Sequence, residues 1–197
     1  MNLTNYLLRE LILPVGDLLF GQRMISRLKF LEKAQWWSAE EIINYQNREL
    51  SKLLNVSYNE VPFYRNLFDA SKTRLVDIQN PSDLSKLPIV TKKMFRNAYP
   101  HQTTRPTGQK TYEASTSGST GENFYVLEDA YTTGWYRASF LLALEWSGWS
   151  IGDPHLQTGM TLNRSIDRQL KDWMLRCYYF SAYNLNDENL ERILTTI

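Results

Sequence analysis

The chain has 197 residues, 43% of them apolar and 13% aromatic, with 22 Lys plus Arg against 21 Asp plus Glu and one cysteine, Cys177. That many rings supply the burial that offsets chain entropy, which excludes a disordered chain, and glycine and proline are too few for a collagen-like or linker-like one. Balanced charge argues against a nucleic-acid partner, since the basic residues Arg23, Arg27, Lys29 and Lys33 are diluted by Glu32. A lone cysteine excludes an intramolecular disulfide and a cysteine-ligated metal cluster.

The first twenty residues are partly apolar, but Arg9, Glu10 and Asp17 interrupt them. No run is long enough to span a bilayer, and no signal-peptide pattern precedes one. Leu7, Leu8, Leu11 and Ile12 form an apolar stripe, which is expected to pack on the domain. Contact of residues 1–35 with a membrane surface is the competing reading of the same stripe. This N-terminal helical extension is expected to end near residue 35, with the remainder, 36–197, forming the main domain.

Ser38-Ala39-Glu40-Glu41 is a capping box, and Ile43, Leu50, Leu54 and Val61 recur at helical spacing after it. Together they predict an amphipathic helix from Ser38 to about Ser57. Pro62 ends any continuation, leaving at most a short turn over Phe63 to Ala70. Asn80-Pro81-Ser82 marks a turn, followed by Leu84, Leu87 and Ile89 as core anchors. Thr91 can cap a short helix through Phe95 that stops before Pro100, and His101 to Gly108 reads as a loop.

Strands are predicted at Tyr112 to Thr116 and Phe124 to Leu127. Asp129 then caps a helix whose face runs through Tyr131, Trp135, Ala138, Leu142, Trp146 and Trp149, a stripe expected to be core. Gly152-Asp153-Pro154 turns the chain into a strand at His155 to Thr158. A helix over Ile166 to Arg176 and a strand at Cys177 to Ser181 follow. Asn186 caps a last helix with Leu190, Ile193, Leu194 and Ile197 on its apolar face. Strands alternating with helices predict an α/β chain with a mixed sheet flanked by helices. Cys177, in an apolar stretch, is expected as a buried structural thiol, which fits a reducing, cytoplasmic setting. His101 and His155 stand near no acid–base pattern and read as loop or packing residues.

The segment Ser115-Thr116-Ser117-Gly118-Ser119-Thr120-Gly121 consists entirely of small hydroxyl residues and glycine. Glycine lets backbone approach a ligand closely, successive amides can bind an anion, and hydroxyls add donors without bulk. A polyphosphate is the ligand such a loop suits; a plain surface turn is the alternative, because serine–glycine runs also make linkers. No lysine follows the glycine, so this is not a Walker loop, and the glycine spacing is wrong for a dinucleotide fingerprint. Ser117 is not in a nucleophile elbow, which needs Gly-x-Ser-x-Gly.

Thr116-Ser117-Gly118-Ser119-Thr120-Gly121 resembles the phosphate-binding signature of the adenylate-forming superfamily, which includes acyl-CoA synthetases. Val61-Pro62-Phe63-Tyr64-Arg65, Leu87-Pro88-Ile89-Val90-Thr91-Lys92 and Gly148-Trp149-Ser150-Ile151-Gly152-Asp153 are similar to segments of its phenylacetate–CoA ligase branch, and within it to members of capsular polysaccharide biosynthesis. The resemblance runs from about Trp36 onward. It implies that residues 36–197 form the N-terminal part of the large domain of such an enzyme, ending before that domain's C-terminal half. It also implies that Ser115 to Gly121 hold the phosphates of ATP, with Ser117, Ser119 and Thr120 offering hydroxyls and Gly118 and Gly121 permitting close approach. Magnesium would offset the phosphate charge, a carboxylic acid would be the second substrate, and coenzyme A is an acyl acceptor the family often uses. Two departures stand out. Glu122 follows the last glycine where many relatives have Pro-Lys, and the family's downstream Tyr-Gly-Thr-Glu motif, ribose-binding aspartate and catalytic lysine are absent from the sequence. The resemblance assigns no catalytic residue here, and this chain alone is expected to be inactive. The competing reading is a non-catalytic remnant or interaction module that keeps the fold.

Overall fold

The structure, a computed structural model, describes residues 3–106, 108–116, 123–159, 166–181, 183 and 186–196. It is α/β, as the alternating patterns predict, and it divides into two compact units: Lys29–Tyr136, and Met1–Leu28 together with Arg137–Ile197. Helices α3 (Met24–Ala34) and α7 (Ala130–Trp146) each carry residues of both.

In the Lys29–Tyr136 unit, α4 (Ala39–Glu60) begins at the predicted capping box. Ser38 Oγ accepts the Glu41 N–H at 3.2 Å, and the Glu41 carboxylate accepts the Ser38 N–H at 2.7 Å. As expected, α4 stops just before Pro62, but Pro62 does not leave only a short turn after it. It opens a second helix, α5 (Pro62–Ser71), because proline at the first helical position gives up only an amide that has no partner there. Leu54 on α4 and Phe68 on α5 close on Ile78, with Leu50, Tyr58, Leu75 and Leu87 around them. Two of the three expected core anchors are exposed: Leu84, within a 3₁₀ segment (Pro81–Lys86), and Ile89, in the extended stretch before α6. Ile43 is exposed too, because the rings that cover this end of α4 gather on Tyr45 instead: Phe30 lies 5.4 Å and Trp37 5.5 Å from it. The Thr91 hydroxyl caps α6 (Lys92–Ala98) by accepting the Met94 N–H. Strands β1 (Thr111–Ser115) and β2 (Tyr125–Asp129) then pair antiparallel, from Thr111 opposite Asp129 to Ser115 opposite Tyr125.

In the other unit, α1 (Leu3–Leu7) runs through a π-turn at Leu8–Ile12 into α2 (Leu13–Phe20). Of the stripe expected to pack, Leu8 is buried, whereas Leu7, Leu11 and Ile12 are exposed. The buried core here is Leu8, Ile25, Leu28, Ala138, Leu142, Ile151 and Phe180. Tyr131 and Trp146, expected as core, are exposed, because α7 turns only its Ala138 and Leu142 side fully inward. Asn5 donates to the Asp153 carboxylate at 2.7 Å, and Arg9 pairs with Glu145 at 3.3 Å. Strand β3 (His155–Gly159), helix α8 (Ile166–Met174) and strand β4 (Cys177–Ser181) form a parallel crossover, with His155 opposite Cys177, and α9 (Asp187–Thr196) follows behind the Asn186 cap. The antiparallel and parallel pairings stand as separate two-stranded ladders among the described residues. Cys177 is half-buried rather than buried, its thiol 3.6 Å from the Gln157 amide oxygen on the neighbouring strand. No helix among the described residues is long and apolar enough to cross a membrane.

Candidate functional site

The hydroxyl–glycine segment leaves the end of β1 and returns at β2, so it is the loop of a β-hairpin. Ser115 is the last ladder residue, exposed and opposite Tyr125. Thr116 makes one more rung: its N–H donates to the Phe124 carbonyl at 3.0 Å, and its hydroxyl accepts the Phe124 N–H at 3.2 Å. Thr116 therefore spends its amide on closing the base of the loop. Ser117, Gly118, Ser119, Thr120 and Gly121 lie outside the described residues, as does Glu122.

The loop's base rests on rings. Phe95 on α6 lies 5.1 Å from Phe124 and 5.7 Å from Phe63, and Phe63 meets Tyr64 edge-on at 5.3 Å. One helical turn on, at the end of α6, Tyr99 stacks on Tyr125 at 6.4 Å and donates its hydroxyl to the Glu113 carboxylate at 2.9 Å. Offset and edge-on pairs of this kind contribute beyond simple area burial. Burial, then the adjoining Glu113 carboxylate, pushes the Tyr99 hydroxyl up from its ordinary range, which keeps it a donor. Alternation along a strand places Glu113, Ser115, Tyr125 and Leu127 on one face of the hairpin, the face Tyr99 grips.

At the far end of β2, Asp129 caps α7 as predicted, accepting the Thr132 N–H at 2.8 Å and its hydroxyl at 3.1 Å. Burial raises its carboxyl, but the two Thr132 bonds and the Arg105 charge outweigh it, and the group titrates below the usual range. A separate shallow depression of about 350 Å³ is lined by Trp37, Glu41, Asn44, Tyr45 and Arg48. Its charged groups are already engaged, Glu41 in the helix cap and Arg48 over the Tyr45 ring at 5.2 Å. His101 is exposed beyond α6, and His155 packs edge-on against Trp149 at 5.1 Å. Among the described residues no three His, Cys, Asp or Glu side chains converge as a metal cluster.

The sequence reading located the loop and its flanking strands but missed Phe95, Tyr99 and Glu113. The available signal was the pair of rings four residues apart on a capped helix, a spacing that puts both on one face.

No known family's profile matches the chain. The phenylacetate-coenzyme A ligase of Escherichia coli (strain K12) is 35% identical to it over 100 residues, which are 50% of this chain and 23% of that enzyme. The chain thus spans less than a quarter of the length of the curated relative it matches. Identity at this level over half a chain makes this protein similar to a CoA ligase, and the resemblance of its hydroxyl–glycine loop points the same way.

Proposed function

We propose that this chain is the opening portion of an ATP-dependent, carboxylate-activating ligase and that its hairpin loop holds the nucleotide's phosphates. In such a reaction an acid's carboxylate attacks the α-phosphate, pyrophosphate leaves, and the acyl group passes from the adenylate to coenzyme A or another acceptor. The observation that carries this reading is a loop of hydroxyls and glycines strung between paired strands, with its base closed by Thr116 and Phe124. Similarity to a phenylacetate-coenzyme A ligase supports the reaction class. With its amide donated to Phe124, Thr116 would offer only its hydroxyl hydrogen, beside Ser115 and Ser117 through Gly121. Magnesium, the implied metal, characteristically binds through substrate phosphates and water with only one or two carboxylates, so it needs no protein cage. The finer assignment, a role in surface-polysaccharide assembly, rests on the flanking segments at Val61, Leu87 and Gly148.

Calorimetric titration of the chain with Mg·ATP tests the proposal. Saturable heat that tripolyphosphate competes away, and that Thr120→Leu abolishes without changing the far-ultraviolet circular dichroism, is the expected result. Absence of binding by the unaltered chain would overturn it in favour of an interaction module that keeps the fold without turnover.

A further inference from the structure

We propose that Tyr99 is a positioning residue for the loop: from the end of α6 it fixes both strands of the hairpin at the point where the loop leaves them. The inference deepens the nucleotide reading above and rests on it for the loop's ligand, but its geometry stands on its own. A two-stranded hairpin is marginal by itself in water, and one whose loop must meet a polyphosphate in a set orientation needs outside support. Here the support comes from a single short helix. The Tyr99 hydroxyl holds β1 through the Glu113 carboxylate at 2.9 Å, and its ring lies against Tyr125 of β2, with planes 28° apart. Phe95, a turn earlier, seats on Phe124, the residue that closes the loop with Thr116. Phe95 is in turn backed by Phe63, which is buried. A chain of contacts therefore runs from the start of α5 through α6 to the loop's closing pair.

The geometry also separates the roles of Phe95, within α6, and Tyr99, the residue that caps its C-terminus. Phe95 is packing, and its loss would loosen the unit generally. The Tyr99 hydroxyl lies at a half-exposed rim and its acceptor Glu113 is exposed, so water competes for the bond; it restrains one strand locally while adding little to global stability. Tyr99→Phe keeps the ring on Tyr125 and removes that restraint alone.

The test reads the hairpin directly in the full chain, by amide hydrogen exchange at Thr116 and Phe124 with no nucleotide present. In Tyr99→Phe both amides are expected to exchange about three- to tenfold faster, the factor one such hydrogen bond supplies, with the thermal midpoint unchanged. Glu113→Ala should reproduce this, whereas Glu113→Gln, which retains an acceptor oxygen, should restore slow exchange. General loosening of the unit would lower the thermal midpoint and would not be rescued by Glu113→Gln. Mg·ATP affinity in the same variants should fall with the loss of restraint and recover with it, because freedom gained by the two strands at Thr116 and Phe124 is lost again on binding. Unchanged exchange in Tyr99→Phe, or equal acceleration in Glu113→Gln and Glu113→Ala, overturns the positioning role whatever the nucleotide result. Accelerated exchange in a chain that never binds Mg·ATP leaves Tyr99 as the hairpin's restraint and overturns the nucleotide reading instead.

Discussion

The two strand pairs show how similar local patterns reach different ends. The β1–β2 hairpin is antiparallel, and on the Tyr99 side its residues meet the rings of α6. Antiparallel pairs need only one covered face; here Tyr99 lies against one side of the hairpin, although Glu113, Ser115 and Tyr125 on that side stay exposed. The β3–α8–β4 crossover is parallel, an arrangement found with both faces covered, yet Leu156 and Tyr178 on its strands are exposed. Its helix carries Ile166, Leu170 and Trp173 at 84%, 63% and 78% exposure, an apolar row at i, i+4 and i+7 that meets no covering surface among the described residues. The lesson is that periodicity chooses the element, while coverage decides whether that element's apolar face contributes to stability. In the Lys29–Tyr136 unit apolar spacing coincides with burial at Leu54, Phe68 and Ile78; along α8 it does not.

The contrast can be broken or sharpened by substitution. The largest effect is expected at Phe68, 2% exposed at the centre of its cluster. Phe68→Ala should destabilise by about 3–5 kcal/mol in urea denaturation, since the transfer and cavity terms add. A loss below about 1 kcal/mol would show that this cluster is not the stabilising core.

Gly152→Ala comes next, in the other unit. The residue has φ of 96°, and an added Cβ would lie 2.5 Å from the Asn5 amide oxygen and 3.1 Å from the Asn5 Cα. Strain and overpacking together should destabilise by about 1–3 kcal/mol. If instead thermal unfolding is unchanged, the Asn5–Asp153 contact is not holding the N-terminal helix.

A smaller, pH-dependent effect is expected at Asp77. Arg74 donates two side-chain bonds and its N–H to this carboxylate and brings its pKa down from 3.8 to about 2. A depressed carboxylate stabilises the fold above its unfolded value, and that contribution disappears as pH falls through the folded one. Stability lost between pH 4 and pH 2 should therefore be smaller in Asp77→Asn than in the unaltered chain; equal losses would remove Asp77 from the account.

The smallest effect is expected on the exposed row of α8. Leu170→Gln should change stability by no more than about 0.5 kcal/mol, as surface substitutions do. A loss above about 2 kcal/mol in the isolated chain would mean that the row is covered after all, and the contrast between the two regions would fail.

Sequence alone determined whatever depends on neighbours within a few residues. The Ser38–Glu41 capping box, the Thr91, Asp129 and Asn186 caps, the alternation of strands with helices and the hydroxyl–glycine loop between two strands follow from local hydrogen bonding and periodicity. Tertiary structure alone decided what covers each face. It made a full helix, α5, of the short turn expected after Pro62, and it exposed Ile43, Ile89 and Trp146, all expected to be buried. It also brought Phe95 and Tyr99 against the base of the loop from a helix that ends thirteen residues before β1 starts. Burial and ring contact depend on segments distant in the chain, and residue order carries no direct record of which segments will meet.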